Sequence, residues 1–75
     1  MIIAKYIIFE TGLVLVFPSS FQHDGVAGGI KATPISAGQI IGNDLNFVVT
    51  GESFTLGLRS REIDKELILK YFSQE

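Results

Sequence analysis

Ile2-Ile3-Ala4-Lys5-Tyr6-Ile7-Ile8-Phe9-Glu10-Thr11-Gly12-Leu13-Val14-Leu15-Val16-Phe17-Pro18 reads as a strand, a tight turn and a returning strand. The arm from Ile2 to Glu10 is rich in Ile, Tyr and Phe, side chains that fit a pleated surface. Ile3, Ile7 and Phe9 point one way along it, and Ile2, Tyr6 and Ile8 the other, so neither face is polar. Thr11-Gly12 makes the turn, the glycine supplying a positive φ. Leu13 to Phe17 returns, apolar on both faces, and Pro18 ends it because proline has no N–H for a ladder. A sheet apolar on both faces must be covered on both. The remaining sequence offers about one and a half helices for that work, so one face is expected to meet a second copy of the chain.

Downstream, Ser19 to Ile30 contains a short helix of one or two turns. Asp24 suits its N-cap, with Val26, Ala27 and Ile30 as a small apolar stripe. Gly25, Gly28 and Gly29 keep it short, each costing about 1 kcal/mol relative to Ala in a helix interior. Pro34 to Ile41 is a third strand and Leu45 to Glu52 a fourth, joined by turn chemistry at Gly42-Asn43-Asp44. In the fourth, Leu45, Phe47 and Val49 share one face. Phe54 to Leu58 continues it or forms an edge strand, with Gly51 and Gly57 marking bends.

The last element is a helix beginning at Ser60 or Arg61 and running to about Phe72. Ser60 suits the N-cap, and Glu62 and Asp64 favour the positive helix end. Ile63, Leu67 and Tyr71 line its buried face, Ile68 and Phe72 widen it, and Leu69 lies off that stripe, marking a second contact. The predicted fold is α+β: an antiparallel sheet of four to five strands, a short helix after strand two, and a C-terminal helix packed on one face.

Composition narrows what such a fold can do. Seventy-five residues form one small domain, residues 1–75. A domain of about 60 residues buries only roughly 60% of its unfolded surface, so extra support is needed. There is no Cys, which removes disulfides and thiolate metal sites, and a single His makes a structural zinc improbable. Oligomerisation is the support that remains. A chain 47% hydrophobic and 19% charged agrees, because that apolar surplus marks a partner interface. A net charge of −2 argues against a partner that is a nucleic acid polymer, though one or two cations would hold a single nucleotide. No apolar run approaches the roughly 20 residues of a membrane span, and the start lacks a signal-peptide pattern. A cytoplasmic protein with no membrane partner is the expectation.

The most chemically loaded stretch is Gly51-Glu52-Ser53-Phe54-Thr55-Leu56-Gly57-Leu58-Arg59-Ser60-Arg61. Together with Ser36-Ala37-Gly38 and Asp64, it resembles a group of very small accessory proteins common in bacteriophage and prophage genomes. The shared pattern is Gly-Glu-Ser-x-x-Leu-Gly-Leu-x-Ser-Arg-x-x-Asp, here Gly51 to Asp64. The resemblance covers most of the chain, including the apolar amino-terminal hairpin and His23. In that group Pro and Glu often follow the Ser-Arg pair; Glu62-Ile63 stand here, so the first helical turn differs. The resemblance implies no activity. It does imply a phage setting, in which small accessory proteins counter host defence by sequestering nucleotide immune signals or by blocking a host protein.

Each polar group in the stretch has two readings. Arg59 and Arg61 would flank a helix N-terminus, where free N–H groups and the dipole favour an anion and a planar guanidinium suits phosphate. Otherwise they pair with Glu52, Glu62 or Asp64 around an ordinary capped helix start. Glu52 would accept from a ribose hydroxyl or a base amino group, or simply pair with Arg59 or Arg61. Ser53 and Ser60 would donate hydrogen bonds to a ligand. His23 would close the site or contact a subunit; alternatively it is a polar loop group beside an Asp24 cap. Ser36-Ala37-Gly38 allows close approach of a backbone, subunit or ligand, or marks a bulge.

Catalysis has no support in the sequence. No base–nucleophile pair, metal set or cofactor fingerprint is present, and no Ser lies in a nucleophile elbow. The expectation is therefore a non-enzyme without cofactor or metal. It is expected to bind a small anionic ligand, such as a nucleotide-derived signal, as a homo-oligomer through Arg59, Ser60, Arg61, Glu52, Ser53 and His23. The alternative is an interaction module that docks on a host or phage protein with no small ligand.

Overall fold

A computed structural model describes residues 2–43 and 46–73. The expected α+β architecture is present. The strands β1 (Ile2–Phe9), β2 (Val14–Pro18), β3 (Pro34–Asn43) and β4 (Asn46–Thr50) form an antiparallel sheet in the order β2-β1-β3-β4. A short helix, α1 (His23–Ala27), separates β2 from β3. A two-stranded ribbon, β5 (Glu52–Ser53) with β6 (Leu58–Arg59), precedes the C-terminal helix α2 (Asp64–Phe72).

The amino-terminal hairpin forms as its residues dictate. Gly12 takes φ +93° in the turn, and Phe9 N–H closes it on the Leu13 carbonyl at 2.9 Å. Central β1 then pairs with β2 on one side and with β3 on the other, Tyr6 standing opposite Val16 and Gly38. The β1–β3 register slips between Ile8 and Phe9, next to the small residues Ser36 and Ala37. Gly42 and Asn43, expected in a turn, instead extend β3 and pair with Phe47 and Asn46. Asp44 and Leu45 lie outside the described residues.

The two apolar faces have different covers. Tyr6, Ile8, Val14, Ile40 and Phe47 meet Ile68 of α2. Ile7, Phe9, Phe17 and Ala37 lie on the opposite face, where Val26, Ala27 and Ile30 from α1 and its exit pack with Leu56 and Leu58 of the β5–β6 ribbon. The chain supplies much of this face's cover itself, through the leucines that the ribbon carries back across the sheet, while Ile3 on the same side stays 57% exposed. Phe54 to Leu58 is thus neither a continuation of β4 nor a simple edge: Phe54 to Gly57 is a loop, and only Leu58 begins a strand.

Both helix starts differ from expectation. The N-cap of α1 is Gln22, with no side-chain cap bond, and Asp24 is exposed in the first turn. Helix α2 begins at Asp64, not at Ser60 or Arg61, and Ser60 caps nothing. Its buried face is centred on Asp64 and Ile68, with Leu67 and Leu69 half-buried beside them. Ile63, Tyr71 and Phe72 are largely exposed, so the stripe lies one residue off the expected one. The reason is electrostatic. The sheet holds a carboxylate at the head of the helix, and Ile68 one turn later follows it inward.

Candidate functional site

The polar motif residues divide into an interior network and a surface cleft. Asp64, fully inaccessible, sits at the centre of the network. Its Oδ2 accepts from the Tyr6 hydroxyl at 2.6 Å and the Arg61 N–H at 2.9 Å. Its Oδ1 accepts from the Ser36 hydroxyl at 3.1 Å and from Arg61 Nε at 2.9 Å. A buried carboxylate is tolerable only when its lone pairs are filled in this way. The Asp64 N–H donates in turn to the Arg61 carbonyl at 3.0 Å. The carboxylate thus reaches back three residues to the Arg61 N–H and fixes the turn that leads into α2, whose own start carries no side-chain cap bond. Burial, and then the hydrogen bond to Asp64, push the Tyr6 phenol well above its ordinary range.

Gly38 lets this network and the ribbon close together. A Cβ there would lie 2.5 Å from the Thr50 carbonyl oxygen, 3.1 Å from Ser60 Cβ and 3.3 Å from Tyr6 Cε1. The close approach anticipated for Ser36-Ala37-Gly38 is thus made by the chain's own backbone. On the carbonyl side, His23 Nε2 donates to Gly38 at 3.0 Å. The His23 ring also stands edge-on to Phe17 with centroids 5.5 Å apart. Only 4% exposed, His23 is an internal tie between α1 and β3 and is not part of the cleft wall.

The cleft, of about 370 Å³, is lined by Gly51, Glu52, Arg59 and Ser60. Its walls come from the ends of the ribbon, where Glu52 pairs in register with Arg59. Gly51 takes φ +77°, and a Cβ on it would overlap the Gln39 side-chain amide. The Ser60 N–H donates to the Gly51 carbonyl at 3.0 Å, which clamps the two edges of the cleft together. One residue on, Arg61 Nη2 is buried with no hydrogen-bond partner.

Of the six residues singled out in the sequence, the structure brings Glu52, Arg59 and Ser60 together in the cleft. Arg61 is not among the lining residues and turns its Nε into the ion pair with Asp64, as the ordinary reading of this arginine had it. Ser53 is buried and serves the ribbon loop, its Oγ accepting from the Leu56 N–H at 3.2 Å and bonding Thr55 Oγ1 at 3.2 Å. His23 stands apart. Because α2 starts at Asp64, Arg59 lies well short of the helix N-terminus, and Arg61, just before it, is spent on the Asp64 carboxylate. Sequence reasoning missed Tyr6 and gave Asp64 only a surface role. The available signal was the set of donors around Asp64: an inward Tyr on β1 and Ser36 within a strand.

Among the described residues, no helix is long and apolar enough to cross a membrane. No protein-family model matches the sequence, and no curated protein or solved structure matches it either.

Proposed function

We propose that this chain is a phage-type accessory protein that binds or sequesters a small anionic ligand, such as a nucleotide immune signal, in the cleft at the end of the β5–β6 ribbon. The observation that carries this reading is the convergence of Arg59, Ser60 and Glu52 on one cleft. Arg59 is an exposed guanidinium suited to a phosphate, and Ser60 offers a hydroxyl. The open cleft has room for a small molecule, and a net charge of −2 disfavours a nucleic acid polymer.

A thermal-shift screen with cyclic dinucleotides and nucleotide-ribose compounds tests the reading. A ligand at 100 times its dissociation constant adds about 2.7 kcal/mol of stability. Arg59→Ala should abolish the shift while leaving the unliganded melting point unchanged; Arg61→Ala is a poorer probe because it also unpairs Asp64. If no compound in the screen moves the melting point, the reading falls.

A second reading, an interaction module that docks on a host or phage protein, is favoured by Phe54. This ring is 88% exposed at the tip of the β5–β6 loop. Self-association belongs to the proposal as well. It is supported by Ile3, Ile41 and Val48, which stand side by side in register, the outer two 57% exposed. Solution mass tests it: a monomer at high concentration removes the oligomer from the proposal.

A further inference from the structure

We infer that the ligand of the cleft is an anion that also carries a pair of neighbouring hydroxyl donors, a sugar phosphate or a nucleotide with a free vicinal diol, and not a bare inorganic anion. This rests on the anionic-ligand reading above and names the class of molecule that the same cleft selects. The argument begins from Glu52. It lies directly opposite Arg59 in the β5–β6 register, and both side chains are exposed. Among the described residues the pair makes no ion pair; the one close charge pair is Arg61 with Asp64. The cleft therefore presents one free carboxylate and one free guanidinium side by side.

These two groups demand opposite things of a ligand. A guanidinium only donates, and an ionised carboxylate only accepts. A ligand made solely of acceptor oxygens gains at Arg59 but meets Glu52 as a like charge at close range. A ligand that also brings donors turns that repulsion into charge-assisted hydrogen bonds. Two hydroxyls on adjacent carbons match the two oxygens of one carboxylate. An acidic side chain reads the ribose in dinucleotide-binding folds by the same chemistry. The Ser60 hydroxyl, able to donate or accept, serves either part of such a molecule, while its N–H is already spent on the Gly51 carbonyl. Gly51 keeps this wall bare, since its positive φ and the Gln39 amide behind it leave no room for a side chain.

Titration calorimetry with four probes tests the inference: inorganic phosphate, ribose 5-phosphate, 2-deoxyribose 5-phosphate and ribose. Ribose 5-phosphate should bind about tenfold or more tighter than phosphate or the deoxy sugar, the effect of one charge-assisted hydrogen bond. Glu52→Gln should erase that preference and leave phosphate binding equal or stronger, and Arg59→Gln should weaken every phosphorylated probe. Both residues are exposed, so unchanged melting points will show that the variants fold. Equal affinity for phosphate and ribose 5-phosphate, an unaffected deoxy sugar, or a Glu52→Gln protein that keeps the preference would overturn the diol and leave the anion reading standing. If neither phosphate nor ribose 5-phosphate binds, both fail together.

Discussion

Asp64, the first residue of α2, accepts the Tyr6 phenol proton at 2.6 Å across 58 positions of sequence. That bond ties the C-terminal helix to the central strand at a point where no water reaches either side chain. Ser36 from β3 and Arg61 from the preceding turn complete the cage. The helix is thus held by one polar anchor at its head and one apolar anchor, Ile68, a turn further on.

Removing the anchor should be costly. Asp64→Ala leaves Tyr6, Ser36 and Arg61 without their acceptor, and each buried donor left unpaired costs about 1–3 kcal/mol. A chain of this length has roughly 4–11 kcal/mol in all, at about 0.05–0.15 kcal/mol per residue. We expect Asp64→Ala to melt well below the parent chain by circular dichroism. Asp64→Asn should fold with about 2 kcal/mol less stability in urea titration. A melting point for Asp64→Ala equal to that of the parent chain would show that the network carries no net stability.

The same bond gives the fold an alkaline limit. Burial first, then Asp64, hold the Tyr6 phenol protonated in the folded chain above its ordinary range. An unfolded tyrosine ionises near pH ~10. A raised folded value stabilises fully below that pH, and the contribution is lost as pH rises through the folded value. Stability from urea titration should therefore fall above about pH 10 more steeply in the parent than in Tyr6→Phe. Parallel curves for the two proteins would detach Tyr6 from the alkaline transition.

Gly38 and Gly25 should respond to alanine with opposite signs. At Gly38 the new methyl group meets the Thr50 carbonyl at 2.5 Å, and that backbone oxygen has no room to retreat without moving β4. Overpacking of this kind costs about 1–3 kcal/mol. Ser60 must also shift, so affinity for any cleft ligand should fall in step. At Gly25, inside α1, a Cβ meets nothing within 4 Å. Alanine there should add up to about 1 kcal/mol, the helix-propensity difference. The two melting points, measured side by side, check both expectations, and a stabilised Gly38→Ala would mean that β3 and the ribbon are not closely packed.

The strands were legible because their residues are β-branched or aromatic and their stops are Gly and Pro, as at Gly12 and Pro18. The cover of the second face was not, because Leu56 and Leu58 are separated by Gly57 and embedded among polar groups. Short ribbons of this sort have too few residues to show a period. The start of α2 was misplaced for a physical reason as well. Hydrophobic periodicity assumes that the buried face is apolar, and here its head is Asp64, made tolerable only by groups distant in sequence. Three site residues, Glu52, Arg59 and Ser60, were legible as a cluster because the ribbon that joins them is local. His23 was not, since its partner Gly38 contributes a backbone oxygen, which no side-chain pattern announces.

Phe54 offers a last test, one that separates the two functional readings. Its loop is held without it: the Gly57 N–H donates to the Ser53 carbonyl at 2.9 Å, Gly57 takes φ +69°, and Ser53 Oγ accepts from Leu56. The ring itself projects into solvent. Phe54→Ser should then change stability by no more than about 0.5 kcal/mol, the range of ordinary surface substitutions. Phe9→Ala, in the core, should by contrast cost about 3–5 kcal/mol. If the protein works by holding a small anion in the cleft at the end of the ribbon, Phe54→Ser retains ligand binding and Arg59→Gln loses it. If it works by docking, a rigidly presented exposed aromatic is the kind of residue that dominates an interface. Phe54→Ser then abolishes the biological effect while Arg59→Gln leaves it intact. Scoring both variants in the same cell-based protection assay and the same calorimetric titration distinguishes these outcomes, because each reading predicts loss in one variant and survival in the other.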